Sequence, residues 1–365
     1  MGNTLIPYYV PTVPDVGLLS SYLEEINQRK WLTNFGPLSD KLAAQLSNLL
    51  GHQHILPVSS CTNGLMTCFM LLGCKSVVTT PFSFVATSSS LKWMGIQTHF
   101  VDIDPDSKNI CPKALEQYLS KNQGKVDAVV ATHVYGNPCD VAALDRLAKD
   151  YDVKIIYDAA HAFDVKVDDR SVLMFGELSV LSFHATKIFH SVEGGAIAVP
   201  NEEVFERARK IINFGIDRSA EVTEIGINSK MSEYHAAVGL VQMRTIERVK
   251  KHRISLYERY IKHFQGRVEI QQWHSKSSPN GAYMPIFLES AQQRAKVVKA
   301  LDSQHVGYKQ YFYKNLNCSM FGESDQAPTP NAQHACDTVV CLPIYFDLSM
   351  NDVDAIAQTV LEAVK

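Results

Sequence analysis

The chain has 365 residues, and its 35 lysines and arginines nearly balance 38 acidic residues, leaving a formal net charge of -3. Without a basic excess it has no field to attract a polyanionic backbone, so a nucleic-acid partner is not expected. Hydrophobic residues make up 46% of the chain, enough for one large domain with a buried core and a second, smaller domain. No apolar run approaches the roughly 18 residues of a membrane helix.

The cysteines and the first residues indicate where the protein works. The eight cysteines include no Cys-x-x-Cys pair and no clustered histidines, so neither a zinc site nor a redox dithiol is indicated. The opening MGNTLIPYYVPTVPDVG has neither a basic segment nor an apolar run, and Ile6 stands where a myristoylation signal has Ser or Thr. We therefore expect reduced thiols, no membrane partner and a cytoplasmic location.

The first half of the chain alternates strand-like and helical patterns. This alternation predicts an α/β fold with a mainly parallel sheet and helices on both faces. Ligands of such sheets bind at the carboxyl ends of the strands. The predicted strands are residues 55–58, 77–80, 98–103, 128–132, 154–157, 178–183 and 196–199, and the predicted helices are residues 63–72, 84–94, 112–121 and 141–150.

The second half predicts a linking helix and a smaller domain. Ser232 can cap a long helix whose apolar residues recur at helical spacing as far as Phe264. Residues 265–280 are polar and interrupted by Gly266 and Pro279, which is typical of a domain entry. Further helices are predicted at 291–304 and 352–364. We expect a large domain over residues 1–250 and a smaller C-terminal α/β domain over residues 251–365.

Lys187 follows a strand pattern at residues 178–183 and precedes Glu193-Gly-Gly195. A lysine that forms a Schiff base needs partial desolvation and a position at a strand end from which its amine reaches an aldehyde. The alternative is a loop lysine whose amine lies in solvent. Position alone does not separate the two.

Asp158 stands at the end of a second apolar strand, in Lys154-Ile-Ile-Tyr-Asp158. Pyridoxal 5'-phosphate (PLP) withdraws electrons while its ring nitrogen is protonated, and a buried carboxylate maintains that proton. Asp158 could supply it, or could cap the next helix. His161 could contact the phenolic oxygen of the cofactor or be a structural histidine.

Further candidates fit the other parts of PLP. Ser59-Ser-Cys-Thr-Asn-Gly64 follows a strand and opens a helix, where backbone N–H groups could hold a phosphate, although it could also be an ordinary capped helix. Ser182, five residues before Lys187, could face the same pocket. Phe84 could stack on the pyridine ring or be a core residue.

Several motifs together resemble one family. The segments SSCTNG, PFSFVAT, VDIDPDS, HVYGNPCD, DAAHAF, SFHATK, EGGA and GINSKMSE, with WLTNFGP and CLPIYFDLS, resemble the DegT/DnrJ/EryC1/StrS family of sugar-nucleotide aminotransferases over nearly the whole chain. The resemblance implies the aspartate-aminotransferase type I fold, a PLP cofactor that passes through its pyridoxamine 5'-phosphate form, and a homodimer with shared active sites.

The resemblance also implies roles for individual residues. Lys187 would form the imine with PLP, Asp158 would pair with the pyridine nitrogen, and His161, where the family often has Gln, would contact the phenolic oxygen or ring. The remaining cofactor contacts would come from Phe84 against the ring, from Cys61, Thr62 and Ser182 at the phosphate, and from Asn228 at the phosphate of the neighbouring subunit. Two departures are Cys61, where glycine or alanine is common, and Val192, where glycine is usual.

Within the family, the motifs look most like those of enzymes that aminate C4 of dTDP-4-keto-6-deoxyglucose with L-glutamate, giving dTDP-4-amino-4,6-dideoxyglucose for bacterial surface polysaccharide, including lipopolysaccharide. Amination at C3 or of a UDP-linked keto sugar is the alternative, since the cofactor residues would be identical. A related dehydratase would have histidine in place of Lys187, and a non-catalytic regulator would not need Lys187 and Asp158. The sequence does not say which residues touch the sugar among Tyr8, His184, His190, Lys309 and Tyr311.

Overall fold

The computed structural model describes residues 5–318, 320–323 and 326–365. Its central sheet has the strand order β1-β9-β8-β5-β4-β2-β3, and only β9 runs antiparallel to its neighbours. The predicted α/β class with a mainly parallel sheet is confirmed. The strands up to β9 are β1 (Ile55–Val58), β2 (Ser76–Thr79), β3 (Gln97–Phe100), β4 (Ala128–Thr132), β5 (Lys154–Asp158), β6 (Lys166–Val167), β7 (Arg170–Ser171), β8 (Leu178–Ser182) and β9 (Gly195–Ala198).

Helices cover both faces of this sheet, and later helices of the chain pack against a second sheet. None of the helices in the described part of the chain is both long and apolar enough to cross a bilayer. They are α1 (Val16–Arg29), α2 (Pro37–Leu50), α3 (Cys61–Leu72), α4 (Val85–Trp93), α5 (Pro112–Lys121), α6 (Val141–Tyr151), α7 (Glu202–Ile211), α8 (Glu233–Met243), α9 (Ile246–Phe264), α10 (Ala291–Ser303), α11 (Pro330–Thr338) and α12 (Met350–Ala363).

The central strands are buried on both faces because helices lie on both sides. Successive side chains of a strand point to opposite faces, and β4 shows the result. Val129 and Ala131 pack in one apolar cluster with Leu42 of α2, whereas Val130 packs in another with Phe69 of α3. This double burial explains why the strands appear in the sequence as continuous apolar runs, each ending where a polar residue is placed at the sheet edge.

The predicted strand at 98–103 is too long. The paired strand β3 stops at Phe100, because Asp102 turns away to serve another element. The carboxylate of Asp102 accepts hydrogen bonds from the backbone N–H groups of Asn331 and Ala332, at 3.0 and 2.9 Å, in the first turn of α11. A helix cap therefore ends the strand.

The single long helix predicted after Ser232 is also wrong, because the structure has two helices. Ser232 does cap α8, and its hydroxyl accepts a hydrogen bond from the backbone N–H of His235. The break falls between Met243 and Ile246, where the hydroxyl of Thr245 donates to the carbonyl of Gln242. A hydroxyl bonded to the backbone competes with helical geometry, whereas the apolar spacing continues across the break.

A second, antiparallel sheet lies in the C-terminal part of the chain. Its strands, in the order β10-β11-β12, are β10 (Glu269–Ile270), β11 (Met284–Phe287) and β12 (Val339–Leu342). They form an apolar cluster with α9, α10 and α12, and Ile6 and Tyr9 of the N-terminal segment pack against that cluster. The predicted domain boundary at residue 250 falls inside α9 and remains a prediction.

Candidate active site

Strand ends and loops of the central sheet meet at a cavity of about 260 Å³. Of the residues predicted to hold the cofactor, all except Asn228 lie in its wall. The lining residues are Ser60, Cys61, Thr62, Leu65, Ser83, Phe84, Ala86, Thr132, Asp158, Ala160, His161, Ser182, His184, Thr186, Lys187, Glu193, Gly194, Tyr283, Tyr311 and Phe312.

Asp158 ends β5 at the floor of the cavity and is only 5% exposed. One carboxylate oxygen accepts a hydrogen bond from the Thr87 hydroxyl at 2.8 Å, and the other accepts one from the backbone N–H of Ala160 at 3.1 Å. Burial raises the pKa of this carboxyl group, while the two hydrogen bonds and the nearby Lys187 act against that rise. No helix follows Asp158, so the helix-cap interpretation is not what the structure shows.

Lys187 lies in a turn between β8 and β9 and is partly buried. Its amine donates a hydrogen bond to the hydroxyl of Tyr283 at 3.2 Å. Its backbone carbonyl, together with that of Ala185, accepts a hydrogen bond from the hydroxyl of Tyr9. Burial lowers the pKa of the amine, while Cys61, Asp158 and Tyr311 oppose the change. The lowered pKa favours the neutral, nucleophilic form of the amine.

His161 is buried beside Lys187. Its Nδ1 accepts a hydrogen bond from the backbone N–H of Tyr135 at 3.1 Å, and its ring lies 4.5 Å from the ring of Tyr283. Burial, with the charge of Lys187, lowers the pKa of His161 well below the usual value. The ring is therefore neutral with its proton on Nε2, so that atom can donate a hydrogen bond.

The N-terminus of α3 supplies backbone donors at the opposite end of the cavity. The hydroxyl of Ser60 accepts from the N–H of Asn63, but the N–H groups of Cys61 and Thr62 have no acceptor among the described residues. Beside them, a Cβ on Gly195 would lie 2.8 Å from the nitrogen of Cys61 and 2.7 Å from the carbonyl oxygen of Leu181. Because Gly195 has no side chain, the space beside these two N–H groups stays open; it is called the cradle below.

Phe84 stands at the cavity wall just before α4, and half of its side chain is exposed. Its ring meets that of Tyr311 edge to face at a centroid distance of 6.5 Å. Phe82, two residues earlier, is fully buried and takes the core position instead. The core interpretation of Phe84 is therefore wrong, and its ring is free to cover a planar ligand.

Asn228 does not line the cavity of its own chain. Its side chain is exposed and accepts a hydrogen bond from Lys230 at 2.9 Å. The role of Asn228 toward a neighbouring subunit remains a prediction.

The departure at Val192 has a structural consequence, because Val192 has a φ of +69°. That conformation suits glycine and strains a β-branched residue.

The structure separates the residues that the sequence left unassigned. His184 and Tyr311 line the cavity, and Tyr8 lies in an adjoining crevice. His190 is buried, and its Nε2 lies 2.7 Å from the carbonyl oxygen of Thr12, which indicates a structural contact. Lys309 is not among the lining residues.

The sequence interpretation missed three polar neighbours of the predicted residues. Thr87 lies one helical turn after Phe84, so helical spacing could have revealed it. Tyr9 comes from the N-terminal segment and Tyr283 from the position directly before β11, and no motif marks either of them. They reach Lys187 only through the tertiary fold.

A mainly parallel sheet that gathers a partly desolvated lysine, a buried aspartate and a helix N-terminus at its strand ends is an arrangement typical of the aminotransferase class of enzymes. The model of the DegT/DnrJ/EryC1/StrS aminotransferase family matches residues 18–361, and the chain belongs to that family.

Two known proteins similar to this chain are named as transaminases of a nucleotide sugar. The dTDP-4-amino-4,6-dideoxy-D-glucose transaminase of Shigella dysenteriae is 37% identical over 360 residues, covering 96% of this chain and 97% of its own. The Escherichia coli enzyme of the same name is 35% identical and covers 99% of both chains. The crystal structure of DesI in the presence of its TDP-sugar product superposes with a TM-score of 0.92 at 26% identity, covering 100% of this chain and 94% of DesI. The chain is therefore a sugar-nucleotide aminotransferase, of a family whose members depend on PLP.

Proposed function

We propose that this enzyme binds PLP through Lys187 and transfers the amino group of L-glutamate to the C4 keto group of dTDP-4-keto-6-deoxy-D-glucose. The product would be dTDP-4-amino-4,6-dideoxyglucose, a precursor of surface polysaccharide. The observation that carries the proposal is the meeting of the Lys187 amine, the Asp158 carboxylate and the open N-terminus of α3 around one cavity. The choice of sugar is supported by the names of the Shigella and Escherichia relatives.

The residues of the cavity fit the parts of PLP. The backbone N–H groups of Cys61 and Thr62, with the hydroxyl of Ser182, would hold the phosphate at the cradle beside Gly195. Phe84 and His161 would contact the ring. When bound, PLP supplies an electron sink for the electrons of a C–H bond next to the transferred nitrogen.

Asp158 and Lys187 would each hold or move a proton during the reaction. The carboxylate of Asp158, held by Thr87 and Ala160, would keep a proton on a buried ring nitrogen, because a buried carboxylate strongly favours a protonated partner. Once released from PLP by the amino group of glutamate, the amine of Lys187 would move the proton of the glutamate α-carbon to the cofactor carbon that carries the nitrogen. In the second half-reaction it would take a proton from that cofactor carbon and deliver it to C4 of the sugar. Since 2-oxoglutarate would leave before the keto sugar binds, with the amino group kept on the cofactor between the two halves, ping-pong kinetics are expected.

The test is a product analysis with L-glutamate and three acceptors, namely dTDP-4-keto-6-deoxyglucose, dTDP-3-keto-6-deoxyglucose and a UDP-linked 4-keto sugar. We expect the highest kcat/KM with the first, and an amine at C4 in its product. A preference for the 3-keto or the UDP-linked acceptor would replace the proposed substrate by the alternative. A purified protein that takes up no PLP would contradict the proposal as a whole.

We also propose that the enzyme works in the cytoplasm as a homodimer in which Asn228 of each chain reaches the phosphate site of the other. The exposed side chain of Asn228 supports this assignment. Hybrid dimers of Asn228→Ala and Lys187→Ala chains test it, since one of the two sites would then carry both changes and the other none. We expect about half of the wild-type activity. Hybrids no more active than the Asn228→Ala homodimer would contradict a shared site.

A further inference from the structure

Lys187 is held at both of its ends by tyrosines from distant segments. The amine donates to the hydroxyl of Tyr283, which stands one residue before β11. The backbone carbonyls of Lys187 and Ala185 accept hydrogen bonds from the hydroxyl of Tyr9, at 3.2 and 2.9 Å. These contacts fix the backbone of the turn and the position of the amine separately.

A buried arginine lies behind both tyrosines. Arg253 of α9 is 3% exposed, and its guanidinium donates to the carbonyls of Gly281 and Ala282 at 2.9 and 2.8 Å, directly before Tyr283. The same guanidinium lies 5.8 Å from the centroid of the Tyr9 ring. No carboxylate in the described ranges forms an ion pair with Arg253, so its hydrogen bonds go to the backbone that carries Tyr283.

We propose that Tyr9 and Tyr283, linked through Arg253, are positioning residues for the amine of Lys187 during proton transfer. This inference rests on the proposed role of Lys187. The three residues Tyr9, Tyr283 and Arg253 are called the tyrosine clamp below.

The hydrogen bond to Tyr283 decides where the lone pair of the amine can point. The side chain of lysine has a long, flexible stem, so an untethered amine samples many directions. An amine that donates one N–H to Tyr283 keeps its lone pair for a carbon in the cavity. Burial keeps the Tyr283 hydroxyl protonated by raising its pKa, with Arg253 acting weakly against this. The other groups that face the amine are Cys61, Asp158, His161 and Tyr311.

The first test replaces Tyr283 by phenylalanine, which keeps the ring and removes the hydroxyl. We expect kcat to fall about 10- to 100-fold, because the reacting groups lose orientation, with KM for both substrates and the PLP content nearly unchanged. The matched control is Tyr260→Phe, since Tyr260 is also buried and donates to the carbonyl of Pro343, but does not line the cavity. The control should keep the wild-type kcat. An unchanged kcat in Tyr283→Phe would overturn the proposal.

A second readout needs neither cofactor nor turnover. In the PLP-free protein, the rate at which Lys187 reacts with a small acylating reagent can be followed against pH by mass spectrometry. Loss of a hydroxyl that accepts from the ammonium form should move the midpoint of this profile to lower pH by about one unit. A midpoint equal to that of Tyr260→Phe would mean that Tyr283 acts only as core packing.

The Tyr9→Phe variant tests the hydrogen bonds from Tyr9 to the backbone of the Lys187 turn. It also keeps the proposal testable if Tyr283→Phe does not fold. We expect faster amide hydrogen exchange over residues 184–190 and a several-fold lower kcat, with KM nearly unchanged. Exchange and kcat at wild-type levels would remove Tyr9 from the clamp. If the wild-type protein aminates none of the keto sugars, the proposed substrate fails, whereas the acylation profile still decides on Tyr283.

Discussion

The two reactive groups of the cavity are held in different ways. Asp158 ends β5, which is hydrogen-bonded on both sides by β4 and β8, and its carboxylate is fixed by Thr87 and by the nearby Ala160. Lys187 lies outside the sheet in a turn, and its contacts come from Tyr9 and Tyr283, 178 and 96 residues away. The position of Asp158 therefore depends on the central sheet, whereas that of Lys187 depends on the N-terminal segment and on the C-terminal part of the chain.

The largest effect should come from removing the base itself. In Lys187→Ala, transamination should fall by at least about 10³-fold, because neither half-reaction retains its proton carrier. The protein should still fold, since the lysine is partly exposed. Turnover is measured with glutamate and the keto sugar, and borohydride trapping should link PLP to Lys187 in the wild type alone. Retained turnover would refute the assignment of Lys187.

On the opposite side of the cavity, Asp158→Asn should lower kcat about 10²- to 10³-fold. A neutral amide cannot stabilise a protonated ring nitrogen, but the groups that would hold the phosphate are untouched. PLP content should therefore remain high while the visible absorbance of the bound cofactor changes. If Asp158→Asn binds PLP and turns over like the wild type, the carboxylate has only a structural role.

Lowering the pH should destabilise the PLP-free protein through two buried histidines close to Asp158. Burial lowers the pKa of His133 to about 3 and that of His161 well below its usual value, so the folded chain binds fewer protons than the unfolded chain. The contribution of these histidines to the free energy of unfolding should be fully present above about pH 6.5. As the pH is lowered below that value, the free energy of unfolding should fall by about 1.4 kcal/mol per pH unit for each histidine.

The raised pKa of Asp158 acts with the opposite sign, because it reduces stability as the pH rises through the folded-state value. Urea unfolding at several pH values measures the sum. His133→Asn is the control, since an amide oxygen can still accept the N–H of Cys139 but does not titrate. Its pH dependence should be shallower than that of the wild type. Equal slopes would remove His133 from the account.

A smaller effect is expected when one of the two hydrogen bonds that hold the Asp158 carboxylate is removed. Thr87→Val keeps the shape of the side chain but deletes the hydroxyl that donates to Asp158. We expect kcat to fall about tenfold, since a hydrogen bond to a charged group contributes about 1.5–3 kcal/mol and the second one, from Ala160, remains. The neighbouring Ser90→Ala serves as the control, because its hydroxyl donates to the carbonyl of Thr87 rather than to the acid. A kcat in Thr87→Val equal to that of the control would mean that the Thr87 hydroxyl does not position Asp158 for catalysis.

The smallest effect concerns the turn after the base. Val192→Gly should stabilise the protein by about 0.5 kcal/mol, because relief of strain at positive φ slightly exceeds the entropy that glycine adds to the unfolded chain. Thermal unfolding of the two proteins measures it. A destabilised glycine variant would mean that contacts of Val192, which is 47% exposed, outweigh its strain.

The same contrast explains what could be predicted from the sequence. Asp158 ends a strand, Lys187 follows one and Cys61 begins a helix, so local patterns place them at one edge of the sheet. Tyr283 and Tyr9 could not be found in this way, because the packing of the C-terminal sheet against the N-terminal segment brings them to Lys187. The break before Ile246 was missed since apolar spacing continues through it, and a single chain cannot test Asn228.

Gly195 has a consequence for how relatives of this enzyme can diverge. Any side chain at this position would collide with the backbone of Leu181 and of Cys61, which belong to segments far apart in the sequence. A substitution at residue 195 is therefore acceptable only together with shifts of both the first turn of α3 and the backbone of β8 at Leu181. Segments 59–64, 178–182 and 193–195 should for this reason evolve as one unit, and exchanging only one of them between homologues should yield a chimera with weakened phosphate binding.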